Sequence, residues 1–161
     1  MNKPGISKSG EVFKEVKSLG RAMPSNKQIT GMRGVYLVAA ELAKHGLIAS
    51  PTSRSARGAD ILVTDAEFKR AFSIQVKTKS TQASYWLLSR DYKRFVSDSH
   101  IYIFVTIRDG GVPTEFFIIP RKVVARKGGS KPYGKYKDIW YWLDLTDARP
   151  YQDRSEIFKG S

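Results

Sequence analysis

Two stretches stand close together in this sequence: Gly-Ala-Asp-Ile-Leu-Val-Thr at residues 58–64 and Phe-Ser-Ile-Gln-Val-Lys at residues 72–77. Both predict β-strands, and Asp60 supplies a carboxylate where the first strand begins. Alternation in the second strand places its apolar residues on one face and its polar residues, including Gln75 and Lys77, on the other. Such a polar face either is solvated or lines a site. A turn aspartate and an edge lysine are the ordinary alternatives for Asp60 and Lys77.

A helix is predicted immediately before these strands, at residues 30–45. Its apolar residues recur at helical spacing, so one face should pack on a sheet. Thr30 is placed to cap its start and Gly46 to end it. The only acidic residue on this helix is Glu41, which lies at the boundary between the apolar stripe and solvent.

The strands after the site continue an α/β pattern. Residues 101–107 are apolar on both faces and predict the central strand, and residues 114–119 should pair back antiparallel with it. A short helix is predicted at 91–96, capped by Ser89, and another at 120–125. Later segments predict a mobile basic loop at 126–137, an edge strand at 139–145 and a closing turn or helix at 151–158.

The length predicts one domain spanning residues 1–161. Residues 1–29 are predicted to form an N-terminal extension, in which residues 11–19 could form a short helix. Residues 30–126 form the core, and residues 127–161 add the basic loop and a closing strand or helix.

The charge balance predicts a polyanionic partner. The chain has 28 Lys and Arg against 15 Asp and Glu, a net charge of +13 and a pI of about 10.0. The basic residues cluster: residues 121–137 hold seven and no acidic residue. Clustering favours nucleic acid over a charge that only maintains solubility.

Composition also excludes several classes of site. The chain has no cysteine, so disulfides, thiolate zinc sites and cysteine nucleophiles are excluded. No run approaches the ~18 apolar residues of a membrane-spanning helix, and the N-terminus has no signal-like apolar core. We therefore expect a cytoplasmic protein with no membrane association. His45 and His100 lack spaced partners and are expected to be structural or exposed and not metal ligands.

Residues 30–80 resemble the PD-(D/E)XK, or restriction-endonuclease-like, nucleases. Ala59-Asp60 matches the proline-aspartate element, and Gln75-Val76-Lys77 matches the (D/E)-x-K element. The chain looks closest to the Holliday-junction-resolvase and Gln-x-Lys branches. The resemblance implies an αβββαβ core with a mixed central sheet flanked by helices. It also implies an endonuclease that hydrolyses phosphodiester bonds in DNA, in a family whose members often act as homodimers.

The family's chemistry assigns roles to the matching residues. A hard divalent cation, Mg²⁺ or Mn²⁺, would activate a water for phosphodiester hydrolysis. Its ligands would be the carboxylate of Asp60, the amide oxygen of Gln75 and the carbonyl of Val76, with Glu41 as a fourth. Lys77 would orient the water or stabilise charge on the phosphate.

The chain departs from the family at two positions. Gln75 replaces the second carboxylate, and Val35 stands where the family's helix carries a glutamate. These departures leave two further interpretations open. One is a catalytically degenerate nucleic-acid-binding protein on the same fold, and the other is an interaction module of a DNA-processing or defence system.

Two further sets of residues are candidates for nucleic-acid contact. The basic candidates for phosphate contacts are Arg54, Arg57, Lys79, Arg126, Lys127 and Lys131. The aromatic candidates for stacking on unpaired bases are Tyr133, Tyr136, Trp140, Tyr141 and Trp142. Aromatic residues more often close a sheet edge than bind bases, so both interpretations of this second set stay open.

Overall fold

The computed structural model describes residues 26–53, 58–135 and 138–159. The predicted helix at 11–19, the loop residues Arg54 and Arg57, and Tyr136 lie outside these ranges. The helices and strands, in chain order, are α1 (Asn26–Lys44), β1 (Ile48–Pro51), β2 (Ile61–Thr64), β3 (Ala71–Lys79), β4 (Tyr85–Leu87), β5 (His100–Thr106), β6 (Glu115–Pro120), α2 (Arg121–Lys127), β7 (Gly129–Tyr133), β8 (Asp138–Asp144) and α3 (Leu145–Ala148). Short 3₁₀ helices occupy Arg90–Lys93, Arg149–Tyr151 and Ser155–Phe158.

Helix α1 begins four residues earlier than predicted. It starts at Asn26, so Thr30 lies inside the helix and the prediction that it caps the start is wrong. Residues 26–29 contain neither glycine nor proline, and nothing in that stretch interrupts helical hydrogen bonding. The earlier start brings one more helical turn towards strand β3.

The end of α1 follows the prediction. Gly46 has φ +76°, in the left-handed region that glycine adopts without a Cβ penalty. Its N–H donates to the carbonyl of Ala43 at 3.0 Å, and the N–H of Leu47 donates to the carbonyl of Leu42 at 3.2 Å. This pair of hydrogen bonds is a Schellman motif, which satisfies the last carbonyls of the helix and turns the chain into β1.

The main sheet has five strands in the order β1-β2-β3-β5-β6. It is mixed, because β3 and β5 run parallel whereas the other neighbouring strands are antiparallel. Strand β5 is interior and buried along its length, as its sequence predicts. The middle strand, however, is β3, because β2 and β5 pair with its two sides. The strand with Gln75 and Lys77 is therefore at the centre of the sheet.

Each face of the main sheet has its own core. Helix α1 covers the face that includes Ile74 and Val76, where Val38 and Leu42 pack between helix and strands. The opposite face, which includes Tyr102 and Phe104 of β5, packs against α2, the first 3₁₀ helix and a second sheet. The described residues thus form three layers, with the mixed sheet in the middle.

The second sheet corrects two predictions. Its strands have the order β4-β8-β7, so β8 is the middle strand and not an edge. The segment predicted to be a mobile basic loop contains β7, which pairs with β8 from Gly129 to Tyr133. A Cβ at Gly129 would lie 2.6 Å from the ring of Trp142, so the glycine lets that indole lie across β7. Pairing with β8 satisfies the backbone of a segment whose own sequence has little strand preference.

The helix predicted at 91–96 is only the 3₁₀ turn Arg90–Lys93, and Ser89 makes no side-chain capping bond. Arg94 is extended and Phe95 has φ +54°, so the chain leaves the helical region at once. The short helices after residue 148 agree with the predicted closing segment. In the described ranges, no helix is both long and apolar enough to cross a membrane.

Candidate active site

Asp60 occupies the point where β2 begins and the sheet opens beside β3. Its N–H donates to the carbonyl of Ile74 at 2.8 Å, and its Oδ2 accepts the N–H of Val76 at 2.7 Å. Strand β2 pairs with β3 only as far as Ile74, so it has no carbonyl opposite Val76. The carboxylate of Asp60 accepts the N–H of Val76 in place of that carbonyl. A carboxylate has further lone pairs, so this bond leaves acceptor capacity for a cation.

The position of Asp60 is held from the β1 side as well. The N–H of Thr52 donates to the carbonyl of Asp60 at 2.9 Å, and the Thr52 hydroxyl donates to the carbonyl of Ala59 at 2.7 Å. Strand β3 and Thr52, the residue after β1, thus fix the backbone that carries the carboxylate.

A cleft of about 400 Å³ opens over Asp60. It lies between the first half of α1 and the open ends of β1, β2 and β3. Its lining residues are Gly31, Met32, Val35, Tyr36, Pro51, Thr52, Asp60 and Val76. Peptide groups alternate in direction along a strand, so the carbonyl of Val76 faces the same side of β3 as the carbonyl of Ile74 that Asp60 binds. Two of the predicted metal ligands, the carboxylate of Asp60 and the carbonyl of Val76, therefore lie at this cleft.

Lys77 follows Val76 and projects to the opposite face of β3. It lines a second cleft of about 420 Å³, together with Lys27 and Thr30 of α1 and Lys79 of β3. Burial lowers the pKa of Lys77 below the ordinary lysine value of 10.5, and the negative charge of Asp60 partly offsets that shift. Lys77 and Asp60 are thus electrostatically coupled across the end of β3.

Gln75 is half-buried on the same strand face as Lys77. Its Cα partner across the parallel pair is Tyr102, a fully buried residue of β5. The predicted amide ligand therefore lies on the face of β3 away from α1, whereas the cleft over Asp60 is lined by α1.

The structure does not bring Glu41 to Asp60. The ammonium of Lys44 donates to Glu41 Oε2 at 2.9 Å, and His45 Nε2 lies 3.8 Å from its Oε1. Glu41 lines a different cleft, with Asp153, near the C-terminal segment. Val35, six residues earlier and about 9 Å away along the helix axis, is one of the α1 residues that line the cleft over Asp60.

These positions limit the acidic ligands at the candidate site. No group of three or more histidine, aspartate or glutamate side chains suited to a metal ion forms within residues 26–53, 58–135 and 138–159. Asp60 is the carboxylate that the described residues contribute to the cleft, accompanied by the carbonyl of Val76.

The predicted phosphate contacts are dispersed. The ammonium of Lys79 contacts the carbonyl of Ala83 and lies 4.0 Å from the centre of the Trp86 ring, while Lys127 pairs with Asp147 at 3.1 Å. Arg126 is exposed on the last turn of α2, and Lys131 is exposed on β7. Arg54 and Arg57 belong to the part of the chain that is not described.

Sequence reasoning missed the contribution of the first turn of α1. Lys27 and Thr30 line the Lys77 cleft, but the helix was predicted to begin only at residue 30. The absence of a helix-breaking residue between 26 and 29 is the signal that indicates the longer helix. His45 and His100 were expected to be structural or exposed. His45 is a surface neighbour of Glu41, and His100 is half-buried at the start of β5.

A solved structure has a fold similar to that of this chain. The Holliday junction resolvase Hjc from the archaeal hyperthermophile Archaeoglobus fulgidus superposes with a TM-score of 0.51 at 14% sequence identity. The match covers 80% of this chain and 99% of that one. No family model and no curated protein matches the sequence. The likeness supports the fold predicted from the sequence: the chain has a restriction-endonuclease-like fold, a mixed central sheet flanked by helices.

Proposed function

We propose that this protein is a metal-dependent endonuclease that hydrolyses phosphodiester bonds in DNA. One observation carries the proposal: Asp60 accepts the N–H of Val76 beside a cleft, and its negative charge acts on Lys77, the next residue along β3. A net charge of +13 suits a substrate whose backbone is a polyanion.

Each residue has a specific task in this proposal. The carboxylate of Asp60, oriented by the N–H of Val76, accepts positive charge at the cleft. The ammonium of Lys77 donates hydrogen bonds to the phosphate as negative charge grows on its oxygens. Because burial disfavours a lone charged lysine, an incoming phosphate improves the electrostatic environment of Lys77. Binding and charge stabilisation then use the same side chain.

Oxygen ligands are the type that Mg²⁺ and Mn²⁺ prefer, but the ligands here carry only one negative charge. Mg²⁺ is typically held by one or two carboxylates, several waters and the substrate phosphates, and here Asp60 would be the single carboxylate, with the carbonyl of Val76 beside it. When bound, such a cation polarises the phosphoryl oxygen and lowers the pKa of its water. We expect it to bind weakly to the free protein and more tightly once DNA phosphates complete its oxygen shell.

A second function is favoured by one specific observation. Val35 occupies the cleft position at which an acidic ligand from α1 would stand, and Glu41 is directed elsewhere. A protein that binds nucleic acid without cutting it would retain the basic surface and the fold with this reduced ligand set.

Cleavage assays separate the two functions. Supercoiled, linear, branched and single-stranded DNA are incubated with the protein, with and without Mg²⁺ or Mn²⁺. Metal-dependent cleavage that disappears in Asp60→Ala and Lys77→Ala supports the endonuclease, and cleavage that survives both changes together contradicts the site. Binding without cleavage on every substrate supports the second function. Affinity should fall roughly 10³-fold between about 50 and 200 mM salt if about six phosphates are contacted.

A further inference from the structure

The outer face of the second sheet is unusually aromatic. Directly paired residues of antiparallel strands project to the same face, so the pairs Trp140–Lys131 and Trp142–Gly129 share one face. Tyr133 lies on this face too, and its ring stacks on Trp140 with centroids 4.1 Å apart and planes inclined by 23°. The other face of the sheet is the buried one, where Trp86 and Leu143 enter the core.

These outer residues are accessible and not part of the core. Tyr133 is 57% exposed and Trp140 is 40% exposed. With Tyr85, Lys131, Pro132 and Trp142 they line a groove of about 300 Å³. Of the two acids at the ends of the groove face, Asp138 is exposed and Asp144 accepts the indole N–H of Trp142 at 3.2 Å. That bond and the bare backbone at Gly129 hold the Trp142 ring against the sheet.

The groove adjoins the cleft that contains Lys77. Tyr85 lines the aromatic groove and also the cleft that contains Lys77, Lys79 and Lys27. A strand whose phosphate lies beside Lys77 therefore has the aromatic groove next to it, on the other side of Tyr85. Lys131, within the groove, supplies a cation for the accompanying backbone.

We propose that this aromatic groove binds unpaired nucleotides of a DNA strand next to the candidate cleavage site, so that the substrate class is DNA with a single-stranded segment. The proposal deepens the proposed function and rests on its placement of the phosphate at Lys77. Aromatic rings stack on any base, whereas lysines beside them contact the backbone, and this combination is typical of single-strand binding surfaces. Bases in a duplex are already stacked on each other, so a duplex gains nothing from these rings.

The test is a binding measurement in EDTA, where no metal-dependent cleavage occurs. Fluorescence anisotropy compares an end-labelled single strand, the same strand with abasic sites, and a blunt duplex. We expect Trp140→Ala and Tyr133→Ala each to weaken single-strand binding about 10-fold. Duplex binding should stay within about twofold, since the phosphate contacts remain. The abasic strand should bind the wild-type protein at least as weakly as the intact strand binds Trp140→Ala, since it can stack on neither ring.

Two variants guard against trivial effects. Phe68→Ala removes another exposed aromatic ring, in the turn at the far end of β2 from Asp60, and should bind all three ligands as the wild type does. Trp140→Phe keeps a ring and should recover most of the affinity that Trp140→Ala loses. Thermal unfolding of each variant shows that the fold is retained.

Several results would overturn the proposal. One is equal binding of the intact and abasic strands by the wild-type protein. Another is single-strand binding that neither alanine variant changes. A third is a wild-type dimer that Trp140→Ala dissociates in sedimentation, which would make the groove an interface between two copies. Failure of the proposed function looks different. If the wild type cuts no DNA but binds single strands in a base-dependent way, catalysis is refuted while the groove stands.

Discussion

Gly34 of α1 lies directly against Thr78 of β3, and a Cβ at position 34 would stand only 2.8 Å from the Cβ of Thr78. Thr78 follows Lys77, so this contact sets how closely the helix approaches the strand that carries the candidate site. The missing side chain brings the first half of α1, with Val35 and Lys27, to the two clefts on either side of β3.

Replacing Gly34 by alanine should therefore destabilise the protein. Overpacking a close contact of this kind costs about 1–3 kcal/mol, more than alanine gains in helix propensity. Urea or thermal unfolding followed by circular dichroism measures the loss. Gly31→Ala is the matched control on the same helix, because nothing lies within 4 Å of a Cβ there. It should raise the free energy of unfolding by about 0.5–1 kcal/mol. Equal effects of the two changes would refute the packing constraint.

Asp60 can be tested for chemistry and for structure separately. Asp60→Asn keeps an oxygen that accepts the N–H of Val76, so stability should change little, whereas the lost charge should abolish metal-dependent cleavage. Asp60→Ala also removes the acceptor and should cost about 1–3 kcal/mol. Unfolding curves and cleavage assays on both variants give the comparison. Full cleavage by Asp60→Asn would show that the carboxylate is not required.

Val35→Glu should restore an acidic ligand to the cleft over Asp60. Metal affinity rises with the number of charged ligands, so we expect Mn²⁺ to bind at least about tenfold more tightly. Isothermal titration calorimetry on the DNA-free protein measures this change. Ala40→Glu adds the same charge at an exposed position of the same helix and should have no such effect. If the two variants bind Mn²⁺ alike, Val35 does not face the metal position.

Glu41 should prove dispensable for cleavage. Its carboxylate is engaged by Lys44 and lies in the cleft near Asp153, away from Asp60. Glu41→Gln should therefore keep the cleavage rate of the wild type within about twofold, since the change is isosteric and remote. The rate is measured at saturating metal and DNA. A loss as large as that of Asp60→Asn would mean that Glu41 reaches the reaction.

Lys77 predicts a specific dependence of stability on pH. Its folded pKa lies below 10.5 because of burial, so between these two values the unfolded chain binds more protons and stability rises with pH. The burial cost is fully present below the folded pKa. Lys77→Met removes it, so the variant should be more stable than wild type near neutral pH, and the difference should shrink as the pH rises towards 10.5. Urea unfolding at a series of pH values measures the difference in the free energy of unfolding between the variant and the wild type. A difference that stays constant with pH would show that Lys77 is not buried.

Local patterns in the sequence were enough for the elements around Asp60. Alternation in residues 72–77 predicted a strand with Lys77 on the polar face, and Gly46 predicted the end of α1. Both depend on interactions within a few residues. The predicted start of α1 was four residues late although no helix breaker stands at residues 26–29. Strand β7 was predicted as a loop because its backbone is satisfied by pairing with β8, and no local signal encodes that partner.

The sequence by itself determined the strand types, the positions of their polar residues and the excess of positive charge, since these follow from short-range periodicity and composition. Only the tertiary structure decided that Asp60 meets the N–H of Val76, 16 residues later in the chain, that Val35 and not Glu41 lines its cleft, and that the aromatic residues of β7 and β8 form one outer face. Those relationships depend on where β2 ends beside β3, on the rotation of α1 against the sheet and on strand register. They are set by packing between segments distant in sequence.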